Sequence, residues 1–161
     1  MRVLGIDPGY DRLGIAVIEG DRNTQTLIHS ECFETDKKSE FIERMHSGAE
    51  HVRVAIKKFS PDIVALETLF FSNNQKTAMH VAEMRGALLF VAHEAGCVVK
   101  EFAPQQVKSA VAGSGRGGKT DVASMLHLLL EIPQKKMLDD EYDAIAVALT
   151  CLVSQENIKH S

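Results

Sequence analysis

The stretch Arg2-Val3-Leu4-Gly5-Ile6-Asp7-Pro8-Gly9 decides the architecture. Residues 2–7 read as a buried strand, and the turn pair Pro8-Gly9 closes it. The strand ends on an acid. Working outward, residues 13–19 form a second strand with Gly14 near its start, 20–23 a turn, and 26–33 a third strand. Three strands with such short links make an antiparallel meander.

The period then changes. Phe41, Met45, Ala49, Val52, Ile56 and Phe59 recur at steps of three and four, which predicts an amphipathic helix with one buried face. Pro61 follows, and 63–66 is a short apolar strand ending at Glu67. Residues 74–94 predict a second long helix, stopped by Gly96, and 97–102 a fifth strand. Pro104 opens a short helix through 112, a loop spans 113–118, and a helix covers 120–130. Pro133 breaks the chain before a last helix from about 140 to 153. This order predicts an α/β fold, a five-stranded mixed sheet flanked by helices. One domain is expected over 1–156, with a short tail at 157–161.

Composition agrees. The 161 residues are 45% hydrophobic and 25% charged, enough for one soluble domain with a full core. The longest apolar stretch, 86–92, is too short to span a membrane, and an acid inside the first apolar run does not suit a signal peptide. The cytoplasm is the expected compartment. Cys32, Cys97 and Cys151 are odd in number and far apart, so they read as small side chains in a reducing compartment. The net charge of -4 argues against indiscriminate binding to polyanions. Locally the sign reverses: between 100 and 119 stand Lys100, Lys108, Arg116 and Lys119 against the single acid Glu101. A strip facing phosphates has this composition, and so does an ordinary lysine-bearing surface.

Four acids sit where a core has no use for them. Asp7 and Glu67 each end an apolar strand, and Asp140 and Asp143 share a face near the start of the last helix. Singly, each has a plain explanation as a strand end or a helix cap. Together, with the first strand central and the Glu67 strand beside it, they would repel one another unless a cation neutralised them. Magnesium takes oxygen ligands from a few carboxylates, and a pair of such ions can activate water and stabilise a leaving oxygen. The chemistry implied is phosphodiester hydrolysis with Mg2+ or Mn2+, two ions per site.

Other features point the same way. The helix is apolar on every side between 86 and 92, so it needs a second buried surface, from a two-fold partner or from within the monomer. Phe70 and Phe71 follow Glu67 on an expected loop, where aromatics stack on unpaired bases or wedge between them, though one could simply be core. Gly113-Ser114-Gly115-Arg116-Gly117-Gly118-Lys119-Thr120 matches the nucleotide P-loop letter for letter. A P-loop must leave a strand directly, whereas helical spacing separates this loop from the strand ending near Phe102. Backbone amides beside Arg116 and Lys119 still suit a phosphate, here one of DNA.

Several segments in order resemble the RuvC family of Holliday-junction resolvases. They are Gly5-Ile6-Asp7-Pro8-Gly9 with Gly14, Ala65-Leu66-Glu67-Thr68-Leu69-Phe70, Met84-Arg85-Gly86, Pro104-Gln105-Gln106-Val107-Lys108, Gly113-Ser114-Gly115 with Lys119, and Asp140-Glu141-Tyr142-Asp143-Ala144. The resemblance covers nearly the whole chain. It implies a ribonuclease H-like fold in which Asp7, Glu67, Asp140 and Asp143 are catalytic acids that hold divalent metal. It implies basic residues near the scissile phosphate at Lys108 and Lys119; Arg85 and Arg116 are further expected DNA contacts. At Phe70 it implies an aromatic inserted at the junction; the second aromatic, Phe71, leaves open which of the two faces DNA. It also implies a homodimer that nicks opposed strands of four-way junction DNA, with the RuvA and RuvB branch-migration proteins as partners. Three rivals stand beside it: a YqgF-type nuclease acting on RNA, a catalytically silent junction-binding module and a P-loop NTPase. The Asp140–Asp143 pair favours the resolvase over the first, and four acids facing a polyanion argue against the second.

Overall fold

Along β1 (Arg2–Asp7) successive side chains turn to opposite faces of the sheet, and this alternation divides the core in two. Val3 joins one buried cluster; Leu4 and Ile6 join the other. The computed structural model describes residues 1–69, 75–113, 119–133 and 135–155. Its remaining strands are β2 (Arg12–Gly20), β3 (Gln25–Glu34), β4 (Ile63–Glu67) and β5 (Val98–Phe102). They form one sheet in the order β3-β2-β1-β4-β5. β1, β2 and β3 pair antiparallel, whereas β4 runs parallel to both β1 and β5. The expected mixed sheet is therefore present, with β1 at its centre.

Helices cover both faces. α1 (Phe41–Phe59) and α2 (Gln75–Glu94) pack together over Leu4, Ile6, Ile15 and Leu66. α3 (Pro104–Ala112), α4 (Lys119–Leu129) and α5 (Asp139–Val153) cover Val3, Ala16, Ile63 and Ala65. The expected tail at 157–161 lies outside the described residues.

Two helices differ from the sequence expectation. The buried face of α1 is centred on Arg44, Gly48, Val52, Ala55 and Ile56, so Phe41, Met45 and Ala49 lie at its margin. A charge enters the buried stripe because it is fully engaged there. Arg44 Nε donates to Thr35 Oγ1 at 3.0 Å, its guanidinium pairs with Asp11 and donates to the Tyr10 carbonyl oxygen at 3.3 Å, and it lies 4.7 Å from the Tyr10 ring centre. In α2, only part of the all-round apolar surface is covered. Met84, Leu88, Val91 and Ala92 are buried, whereas Phe90 is 65% and Met79 64% exposed.

α5 is the most deeply set helix. Every residue from Ala144 to Leu152 is buried. It lies directly on the backbone of the sheet because β1 and β2 present glycine where it crosses. A β-carbon at Gly5 would stand 2.3 Å from the Ala144 carbonyl oxygen, and one at Gly14 would stand 1.9 Å from that of Asp140. Residues 140, 144 and 148 form the single stripe of α5 that meets these glycines. Because the clash at Gly5 is with backbone, Gly5→Ala must displace the helix. We expect a loss of about 1–3 kcal/mol in unfolding free energy, measured by urea denaturation.

Candidate nuclease site

The strand period that sorts the core also aims the acids. Val3 and Gly5 face α5, so Asp7, two residues further on, ends β1 on that side. Ile63 and Ala65 face α5 likewise, and Glu67 ends β4 on the same side. Ile6 pairs with Leu66 across the parallel β1–β4 ladder, which puts the two acids at neighbouring strand ends. The first turn of α5 arrives there, with Asp140 against Gly14 and the Asp7 β-carbon 3.2 Å from the Gly14 β-position.

Glu67, Lys108 and Asp143 line a cavity of about 240 Å3, walled by Val107, Val122 and Ala146. Acids from a strand end and from α5 thus share one space with a lysine from α3. Arg12 Nε lies 3.2 Å from Asp140 Oδ2. That oxygen is buried and accepts no hydrogen bond, so the contact is coulombic only. Burial pushes the nearby Cys32 thiol up to about 11, with Asp140 raising and Arg12 lowering it, as neighbours of opposite charge must.

These residues fit a hard divalent cation. The donor set is all carboxylate, it arrives from two strands and a helix, and the orphaned Asp140 oxygen is unspent by hydrogen bonding. Among the described residues no three acidic, histidine or cysteine side chains stand close enough to hold one ion, so these donors would have to draw together around it.

The remaining sequence candidates divide. Arg85 donates to the Glu67 carbonyl oxygen at 3.3 Å and pairs with Glu101; its side chain is only 15% exposed. As placed, it braces the end of β4. Phe70, Phe71, Arg116 and the side chain of Lys119 lie outside the described residues. The glycine loop begins after α3, with α3 itself standing between β5 and the loop. A P-loop leaves a strand, so this geometry disfavours the NTPase reading.

Sequence reasoning missed Glu141, 4% exposed and set between the two α5 acids. The Ser30 hydroxyl donates to its Oε1 at 2.6 Å, and Lys135 Nζ lies 2.8 Å from the same oxygen. Lys135 also donates to the Ser30 carbonyl oxygen at 3.2 Å. Glu141 therefore ties the first turn of α5 to edge strand β3. A signal existed: Glu141 falls four residues before Ile145, on an apolar face of the helix. The pairing of Arg12 with Asp140 left no local trace.

The family described as Crossover junction endodeoxyribonuclease RuvC matches residues 3–151. The chain is 38% identical over 148 residues to the protein of that name from Thermosipho melanesiensis, covering 92% of this chain and 94% of the relative. It is 39% identical over 149 residues to that of Caldanaerobacter subterraneus subsp. tengcongensis, covering 92% and 90%. Thermus thermophilus RuvC, solved in complex with Holliday junction substrate, superposes with a TM-score of 0.87 at 35% identity over 93% of this chain and 92% of that one. The yeast mitochondrial Holliday junction resolvase Ydc2 shares the fold at a TM-score of 0.72 and 14% identity, over 94% of this chain and 77% of that one.

Sheet order, covering helices and acids at the strand ends define a nuclease of the ribonuclease H-like class. Within it, the chain belongs to the RuvC family of crossover junction endodeoxyribonucleases. Nucleases of this family are generally dependent on divalent metal.

The Glu141 clamp yields a test of how α5 is held. Glu141→Ala removes a charge-assisted hydrogen bond and is expected to cost about 1.5–3 kcal/mol of stability. Glu141→Gln, which keeps an acceptor for Ser30, should cost less than half of that in the same urea denaturation.

Proposed function

We propose that this chain resolves four-way DNA junctions in homologous recombination and repair, as a homodimer in which each protomer nicks one of two opposed strands. The observation that carries the reading is the seating of α5 on Gly5 and Gly14, which delivers Asp140 and Asp143 to the strand ends bearing Asp7 and Glu67. Asp7, Glu67, Asp140 and Asp143 are the catalytic acids and would hold the metal, Mg2+ or Mn2+, with two ions per site. When bound, the metal neutralises the acids, activates the attacking water and stabilises the leaving oxygen of the phosphodiester.

The protein's own part is to position and to balance charge. Lys108, on the wall shared by Glu67 and Asp143, meets a non-bridging phosphate oxygen and offsets the repulsion between DNA and the carboxylates. Lys119 and Arg116 continue the phosphate track along the glycine loop. Phe70 and Phe71, three and four residues past the end of β4 in the chain, supply the aromatic that enters the junction. Arg85 holds the β4 end through the Glu67 carbonyl, and contacts DNA on leaving Glu101.

A second copy accounts for the uncovered α1–α2 face. Ile42 (62% exposed) and Phe90 line a groove between these helices, Met79 is exposed elsewhere on α2, and apolar side chains of this size cost free energy in water. Two-fold pairing there brings two sites onto one assembly, which paired symmetric nicks require. RuvA and RuvB are the partners that the family resemblance implies, and the cytoplasm is the proposed compartment. Among the described residues no helix is long and apolar enough to cross a membrane.

The test is a synthetic four-way junction incubated with the protein, with and without Mg2+, and nicks mapped on every strand. Paired nicks on opposed strands are expected only with metal. Asp7→Asn should abolish cleavage and leave junction binding within about twofold; loss of both together would give Asp7 a structural role. Lys119→Ala is expected to weaken binding to all junction sequences alike and to lower the slope of log affinity against log salt by about one. An unaltered slope would take Lys119 off the phosphate track.

A further inference from the structure

Arg12 is the first residue of β2, two positions before Gly14, and so lies on the face of the sheet that α5 covers. The Asp140 carbonyl rests on Gly14, and the Asp140 carboxylate reaches Arg12 at 3.2 Å. Two features make this pair unlike a structural lock. The approach satisfies no hydrogen bond, leaving Oδ2 of Asp140 buried and unbonded. The partners are also unequally set, with the Arg12 side chain 46% exposed and that of Asp140 only 19%. Arg44, by contrast, spends its guanidinium on several acceptors and is itself buried. Arg12 thus supplies charge to Asp140 at little geometric cost and can leave into solvent.

A divalent cation arriving at Asp140 meets that arginine. The two cations repel, and both are drawn to one carboxylate whose buried Oδ2 accepts no hydrogen bond. We propose that Arg12 is a built-in competitor of the divalent metal for Asp140. It holds the acid in charge balance, yields it to the ion, and thereby sets the metal concentration at which the nuclease is armed. This rests on the reading of Asp140 as a metal ligand. Arg12 acts through Asp140 and is a positioning residue; it takes no part in bond cleavage.

The test reads metal binding without DNA or turnover. Mn2+ is added in steps to the full-length protein, and the free ion is followed by electron paramagnetic resonance. Arg12→Gln should bind Mn2+ about two- to fivefold more tightly than the parent, the range over which a partly exposed ion pair shifts an equilibrium. Arg12→Lys, which keeps the charge, should stay close to the parent, and Asp140→Asn should bind more weakly. Damage to the site loosens the ion, so a gain in affinity is a result that misfolding cannot imitate. If Arg12→Gln binds no more tightly while Asp140→Asn weakens binding, Arg12 is not a competitor and Asp140 stays a ligand. If Asp140→Asn binds like the parent, Asp140 is not a ligand, and the competitor role falls with it.

Discussion

The contact on which this molecule depends is between helix and sheet backbone, where α5 lies across β1 and β2 at Gly5 and Gly14. With no side chains between them, the two backbones come closer than any other residue type would permit. The apolar body of the helix supplies the energy for this contact. Ile145, Leu149 and Leu152 are wholly or almost wholly buried, and each contributes roughly 1.5–3 kcal/mol. That is enough to hold the first turn of α5, with its acids, beside the carboxylates at the ends of β1 and β4. Charge that would otherwise keep these groups apart is imposed by packing.

Such a site is a store of repulsion, and the surrounding residues manage it in different ways. Glu141 is turned away from the cluster and satisfied by Ser30 and Lys135. Arg12 offsets Asp140 from the solvent side without bonding to it, and Lys108 lines the same cavity as Glu67 and Asp143. Arg85 spends its charge at the backbone end of β4, where it steadies the strand that carries Glu67. The acidic total of the chain does not by itself exclude a polyanionic substrate, because Arg12, Arg85 and Lys108 stand near these acids.

The two faces of the sheet are specialised by the same arithmetic. Odd-numbered positions of β1 and β4 belong to α5 and to chemistry; even-numbered ones belong to α1 and α2 and to packing. The α1–α2 layer keeps an outward apolar surface at Ile42, Met79 and Phe90, which suits contact with another copy far more than contact with water. In the proposed pairing, this separation of site from contact surface would let a second protomer dock without blocking either cleft.

Much of this could be read from the chain because it follows from local periodicity. The turn at Pro8-Gly9, the strand ending at Glu67, the change to helical spacing after Phe41 and the acid pair at 140 and 143 are short-range patterns, and each predicts its element. Strand parity even determines which face Asp7 and Glu67 take. Local pattern carries no information about what lies across a fold. That Arg12 meets Asp140, that Arg44 belongs to a buried stripe, and that Ser30 and Lys135 both reach Glu141 depend on groups far apart in the chain. Those pairings exist only once the sheet order and the descent of α5 onto two glycines have brought distant backbone together, and it is tertiary packing that decides them.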